Sequence, residues 1–202
     1  MASGHPDWVL GFEDETWWSR FAYPALRSWS GEGETSHLVE QVKHKDDLDP
    51  KALACYGLLV RDLATDGQPQ DQVWLRFVDG RPVSAITTQF LAWSCQKLET
   101  AKKRALLLVW DNASWHISKA VRTWIREHNQ QVKISGQGVR VVQCPLPVKS
   151  PWLNPIEPKW IHGKRKVVEA DRTLSAHELA DRVCAVFHCT HETHLAIPDN
   201  VT

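Results

Sequence analysis

Two acidic residues stand in settings that suit chemistry better than simple solvation. Asp111 closes the apolar run Ala105-Leu106-Leu107-Leu108-Val109-Trp110, and Glu157 ends the string Ser150-Pro151-Trp152-Leu153-Asn154-Pro155-Ile156-Glu157. The apolar run is the composition of a buried strand, which delivers Asp111 to its end. An Asn-Pro pair is the composition of a helix start, which puts Glu157 in the first turn. Carboxylates gathered at the ends of buried elements repel and raise one another's pKa unless a cation neutralises them. Their oxygens are hard ligands suited to Mg²⁺, with Mn²⁺ as a substitute. Two such ions, about 4 Å apart, are the apparatus that activates an attacking hydroxyl and stabilises a leaving 3′ oxygen at a phosphodiester.

The elements that must position these acids follow from periodicity. Trp8 to Glu15 reads as a strand with Trp8, Leu10, Phe12 and Asp14 on one face and Glu13 on the other. Ala52 to Val60 and Val73 to Val78 are the second and third strands, with turn residues Asp66-Gly67-Gln68-Pro69 between them. Thr87 to Lys103 fits a helix, Ala105 to Trp110 a fourth strand, Ser118 to Asn129 a helix, and Val139 to Cys144 a fifth strand ended by Leu146-Pro147. Asn154 is expected to cap the next helix, with Pro155 at its first position; Trp160, Ile161 and Val167 form its apolar stripe, and Pro158 and Gly163 weaken it. A last helix, Ser175 to Phe187, opens with a Ser-x-x-Glu capping box at Ser175 and Glu178. This is the element order of an RNase H-like α/β domain: three antiparallel strands and then parallel ones in a mixed five-stranded sheet flanked by helices. The first and fourth strands then lie side by side, making Asp14 and Asp111 neighbours, and Glu157 on its helix can complete a site.

The 202 residues, 43% of them hydrophobic, suffice for one domain spanning 1–202. No run of eighteen apolar residues and no secretory leader composition occurs, so neither a membrane nor export is expected. Five cysteines without a Cys-x-x-Cys pair argue for reduced thiols. Formal net charge is zero, but residues 1–50 carry ten acids against four bases and residues 51–202 carry fourteen against twenty. A neutral average therefore does not exclude a nucleic-acid partner. Eleven tryptophans serve equally for packing or for stacking on unpaired bases.

Simpler readings compete at each position. Asp14 has neighbours Glu13 and Glu15 and the nearby Asp7 as rivals, with Glu15 a candidate for assisting it; Asp111 can be a turn or cap aspartate, and Glu157 can simply complement a helix dipole. Asn112 is a candidate for holding a phosphate or a ligand carboxylate, and His116 for either serving the site or packing. Lys159, His162, Lys164, Arg165 and Lys166 suit contact with a DNA backbone or a solvated helix face. Cys184, His188, Cys189, His191 and His194 are zinc-capable side chains whose spacing matches no standard finger.

Phe12-Glu13-Asp14-Glu15, Trp110-Asp111-Asn112-Ala113-Ser114-Trp115-His116, and Leu146-Pro147 through Glu157 with Trp160 resemble the motifs of DDE transposases, in the branch of bacterial insertion sequences related to the mariner elements. The likeness includes Arg27-Ser28-Trp29-Ser30-Gly31-Glu32-Gly33. It implies metal-dependent hydrolysis at transposon ends followed by strand transfer to target DNA, with Asp14, Asp111 and Glu157 as the catalytic and metal-binding triad for two Mg²⁺ ions. Glu15, Asn112 and His116 are implied as supporting residues, and Lys149, Asn154, Lys159, Lys164, Arg165 and Lys166 as DNA contacts. A homodimer on DNA in the bacterial cytoplasm, at the nucleoid, is likewise implied. The 45 residues between Asp111 and Glu157 exceed the family's usual spacing, with the excess assigned to Gln130–Gly138, and Lys149 stands where an aromatic residue is frequent. Such transposases begin with helix-turn-helix modules, whereas the first strand here starts at Trp8; three readings of that stay open, one product of a split reading frame, a truncated element, or a lone catalytic domain whose end recognition comes from a separate helix-turn-helix polypeptide. A hydrolysing nuclease and a noncatalytic DNA- or protein-binding remnant are the alternative readings.

Overall fold

The computed structural model describes residues 5–21, 32–33, 41–63, 69–167 and 172–197. In chain order they form β1 (Trp8–Ser19), β2 (Ala52–Leu63), β3 (Pro69–Asp79), α1 (Ser84–Thr100), β4 (Ala105–Trp110), α2 (Lys119–Ser135), β5 (Arg140–Pro145), a 3₁₀ turn (Pro151–Leu153), α3 (Glu157–Val167), α4 (Ala176–Val186) and β6 (Leu195–Ala196). The segment Arg27 to Gly31 and the turn residues Asp66 to Gln68 lie outside the described residues.

The sheet order is β5-β4-β1-β2-β3-β6. β1, β2 and β3 run antiparallel, while β4 pairs in parallel with β1 on one side and β5 on the other. The architecture is the expected RNase H-like one, with six strands in place of five. The sixth, Leu195–Ala196, pairs in parallel with the end of β3. Two residues carry no periodicity, so only the folded edge of β3 reveals them as a strand.

β4 is apolar throughout because both its faces are covered. Leu106, Leu108 and Trp110 pack with Ile86, Phe90 and Leu91 of α1 and with Val121 and Ile125 of α2. On the opposite face of the sheet, Phe12, Cys55, Leu59 and Phe77 pack with Trp160 of α3 and with Leu179 and Val183 of α4. Two glycines in the sheet make room for this packing. A Cβ at Gly11 would stand 2.6 Å from Leu106 and 2.9 Å from Leu58, and one at Gly57 would stand 2.2 Å from the Trp160 ring.

Local chemistry sets the helix ends. Ser118 accepts a hydrogen bond from the Val121 N–H at 3.2 Å, and α2 closes on Gly136 in the left-handed region at φ 68°. The residues assigned to excess spacing are mostly a continuation of α2 through Ser135. Ser175 and Glu178 form the expected capping box of α4. The start of α3 departs from expectation: Asn154 ends the 3₁₀ turn and the helix begins at Glu157. The Asn154 Nδ2 donates to the Glu13 carbonyl at 2.9 Å, a long-range bond that binds this loop to β1, while its Oδ1 accepts from the Ile156 N–H at 3.4 Å. Pro158 falls in the first turn of α3, where its missing N–H is tolerated, and Gly163 packs so tightly against Phe187 and Trp18 that a Cβ would stand within 2.9 Å of both.

Candidate active site

β1 carries its three successive acids on two faces. Asp14 faces α3, while Glu13 and Glu15 face the loop that enters α2. Phe12 pairs with Val109 across the parallel β1–β4 ladder, so two residues further along each chain Asp14 comes level with Asp111. The Trp160 indole N–H donates to Asp14 Oδ2 at 2.8 Å. Glu157, half-buried, lies one turn before Trp160 on the same side of α3. Burial first, and then the charge of Glu157, push the Asp14 carboxyl up to about 7 from 3.8. Thus the strand pairing and the electrostatics bring the three expected acids to one end of the sheet.

Asp111 is held differently. Its Oδ1 accepts from the Ala113 N–H and lies 2.8 Å from His116 Nδ1. The His116 hydrogen bond is the main reason its carboxyl stays below the usual range. Among the described residues no donor is bonded to Oδ2, and the side chain is 53% exposed. It borders an open groove of about 320 Å³ between the Asp111–Ala113 loop and the 146–151 segment.

His116 is buried under Trp110, with the two rings stacked at 4.7 Å between centroids. Its Nε2 lies 3.0 Å from Glu15 Oε1, which also accepts from the Trp115 indole N–H at 2.7 Å. Glu13 Oε2 is 3.1 Å from the same nitrogen, yet the N–H points to Glu15, and neither Glu13 oxygen has a hydrogen-bond partner among the described residues. Burial pushes the Glu13 carboxyl up to about 8. Burial alone would favour a neutral His116, but the charge of Glu13 and the close approach of the Asp111, Glu13 and Glu15 oxygens outweigh it and raise its pKa. Because carboxylates only accept, both ring nitrogens carry protons and the imidazolium has no lone pair for a metal. Glu13, Glu15 and His116 have ligand atoms within 4.8 Å of one another, but there the imidazolium itself supplies the cation.

Among the described residues, Asp14 has no such cation bonded to it; its side-chain partner is the neutral Trp160 indole. Asp14 lies beside Glu157, whose charge adds to burial in raising it, and the strand register sets Asp111 at the same end of the sheet; a hard divalent ion would relieve that electrostatic cost.

The supporting residues are placed as follows. Glu15 and His116 form the bridge just described, which links β1 to Asp111. The Asn112 amide donates to the Leu146 carbonyl at 2.7 Å, so it ties the β4 loop to the end of β5. Lys149 is exposed on the groove, with φ 59°. Lys159, Lys164, Arg165 and Lys166 are exposed along α3, and Lys164 lies two turns from Glu157 on the same line. Asn154, expected as a DNA contact, is 3% exposed and bonded inward to Glu13, and that expectation is corrected. Trp160 and Trp115 as carboxylate partners, and Glu13 as a buried orphan, were not legible in the sequence; the five-residue spacing from Asp111 to His116 was the available signal for the bridge.

Residues 68–180, more than half of the chain, match the family model described as DDE superfamily endonuclease. The matched segment contains Asp111 and Glu157. No curated protein matches the chain. Among solved structures the chain is similar to the Mos1 transposase paired-end complex with left transposon end, at 16% identity and TM-score 0.61, covering 92% of this chain and 48% of that one. It is also similar to the Mos1 mariner paired end complex with Mn (16% identity, TM-score 0.58, 91% and 48%). The catalytic domain of Mos1 mariner transposase matches at 16% identity and TM-score 0.52, covering 92% and 71%. The chain spans about half the length of the paired-end chains, and at this identity the likeness is one of fold.

Proposed function

The chain belongs to the DDE superfamily of endonucleases, and from that premise we propose that it is the catalytic domain of a transposase, acting through Asp14, Asp111 and Glu157 on DNA. What supports this reading is that the charge of Glu157 helps raise the Asp14 carboxyl, and that the β1–β4 register, continued two residues, sets Asp14 opposite Asp111. The motif strings further favour a bacterial insertion sequence of the mariner-related type.

In hydrolysis, a water oxygen bonds to the phosphorus at the transposon end and the 3′ oxygen leaves as a hydroxyl. In strand transfer, that hydroxyl oxygen bonds to a target phosphorus and the target's own 3′ oxygen leaves. Asp14, Asp111 and Glu157 would hold two Mg²⁺ ions, or Mn²⁺ in their place, whose contribution when bound is to lower the pKa of the attacking group and neutralise charge at the leaving oxygen. Trp160 fixes the Asp14 carboxylate, and His116 with the Ala113 N–H fixes that of Asp111. Exposed Lys149, Lys159, Lys164, Arg165 and Lys166 offer charge to the DNA backbone beside the acids. Recognition of the ends is assigned to helix-turn-helix modules working with this domain, in a homodimer on DNA at the bacterial nucleoid.

The test is incubation of the purified chain with Mn²⁺ and labelled duplexes carrying the sequences that flank its coding region, with and without a helix-turn-helix polypeptide. Expected are nicks with 3′-hydroxyl ends and joined products with target DNA, both lost in Asp111→Ala. Cleavage without joining would restrict the activity to that of a nuclease. No cleavage in any mixture would overturn the enzymatic reading in favour of a binding remnant.

A further inference from the structure

Three histidines and two aspartates gather at the β6 edge of the sheet, with β2 and β3 between it and β1. His191 Nδ1 lies 2.7 Å from Asp181 Oδ1, His194 Nδ1 lies 2.7 Å from Asp79 Oδ1, and His177 Nδ1 lies 3.0 Å from the second oxygen of Asp181. A carboxylate only accepts, so each Nδ1 carries a proton, and in a neutral ring each Nε2 is left with a lone pair. The Nε2 atoms of His191 and His194 face one another at 3.2 Å. Two lone pairs at that distance repel unless a positive species lies between them, which leaves a shared proton or a metal cation. Tetrahedral coordination with metal–nitrogen bonds of about 2.0–2.1 Å sets ligand nitrogens roughly 3.3 Å apart, which matches the observed separation.

The surroundings favour the metal. An imidazole that gives its second N–H to a carboxylate is the arrangement that fixes the tautomer and aim of a ligating histidine. His191 and His194 are largely covered, and both rings rest on the buried Phe77, with centroids 5.6 and 5.5 Å away. The exposed His177 ring is 5.2 Å from that of His191, and the ligand atoms of His177, Asp181 and His191 lie within 4.8 Å of one another.

We propose that His191 and His194 bind one first-row transition-metal ion of the zinc type through their facing Nε2 atoms, separate from the acids of β1, β4 and α3. Imidazole donors select such an ion over Mg²⁺. The site joins α4, which carries His177 and Asp181, to Asp79 at the end of β3, through the segment that leads into β6. It therefore clasps a two-residue strand, too short to hold its own place, onto the edge of the sheet.

The experiment uses the full chain stripped with chelator and titrated with Zn²⁺ by calorimetry in millimolar Mg²⁺, which occupies oxygen sites. Expected are one equivalent of zinc per chain, a rise in Tm, and loss of at least about tenfold in affinity in Asp79→Asn and in Asp181→Asn, the scale seen when such carboxylate partners are removed. His191→Ala with His194→Ala is expected to abolish uptake. Co²⁺ added to the unmutated chain should give the visible absorption of tetrahedral nitrogen coordination, a readout independent of whether a variant folds. No zinc uptake, full uptake in the double histidine variant, or a Co²⁺ spectrum of all-oxygen octahedral type would each overturn the proposal and leave a shared proton between the two rings.

Discussion

At the scale of single residues, the alternation of β1 sorts three consecutive acids into two jobs. Glu13 and Glu15 face an imidazolium that acts as a fixed cation, and Asp14 faces Glu157 with none. Asp14 therefore predicts how the protein responds to pH. Its folded pKa is raised to about 7 from 3.8, so between those values the folded state holds a proton that the unfolded state has lost. In chelator, this contribution to stability is complete below about pH 4 and is lost as pH rises through about 7. Asp14→Asn should flatten that slope and stabilise the metal-free protein at about pH 8 by about 1–3 kcal/mol, measured by urea unfolding. An unchanged slope would remove Asp14 from this role. His116→Ala should cost about 3–5 kcal/mol, because it leaves buried acids without their cation, and Glu13→Gln on that background should recover part of the loss. That Asp14 and Glu13 lie on opposite faces of β1 was legible from period two. The bridge from His116 to β1 was not, because it forms only when the loop after β4 folds across a strand about a hundred residues earlier in the chain.

Among the elements, α3 is the one whose placement decides whether the triad assembles. It is seated by the Trp160 ring in the notch left by Gly57. Gly57→Ala should push the helix away, destabilising the protein by about 1–3 kcal/mol as overpacking does and weakening Mn²⁺ binding with it. Gly136→Ala, at a positive φ with open space around it, should cost about 1 kcal/mol and leave the metal response intact. Equal effects on metal binding would contradict the seating role of Gly57. The bounds of β4 and the capping box at Ser175 could be read directly from the chain, since each depends on neighbours within a few residues. The start of α3 could not, because Asn154 is drawn to the Glu13 carbonyl across the fold, and β6 exists only as a partner for β3.

For the whole molecule, the order of elements already implied an RNase H-like sheet with β1 beside β4, because few topologies accommodate that order. The charge partition was legible too, but its spatial meaning waited for α3, which sets exposed Lys164, Arg165 and Lys166 on the helix that carries Glu157. Replacing these three by alanine should weaken DNA binding and lower the slope of log affinity against log salt by about 2–3, at about 0.9 for each phosphate no longer neutralised. An unchanged slope would place the DNA elsewhere. The central claim, that the metal lies on the Asp14 side of β1, is tested most directly by Mn²⁺ binding followed by electron paramagnetic resonance in the unmutated chain, in Asp14→Asn, Asp111→Asn and Glu157→Gln, and in Glu13→Gln and Glu15→Gln. Each of the first three substitutions is predicted to remove or strongly weaken binding, while Glu13→Gln preserves it. Binding kept in all three and lost in Glu13→Gln or Glu15→Gln would put the ion on the opposite face of the strand and contradict that claim.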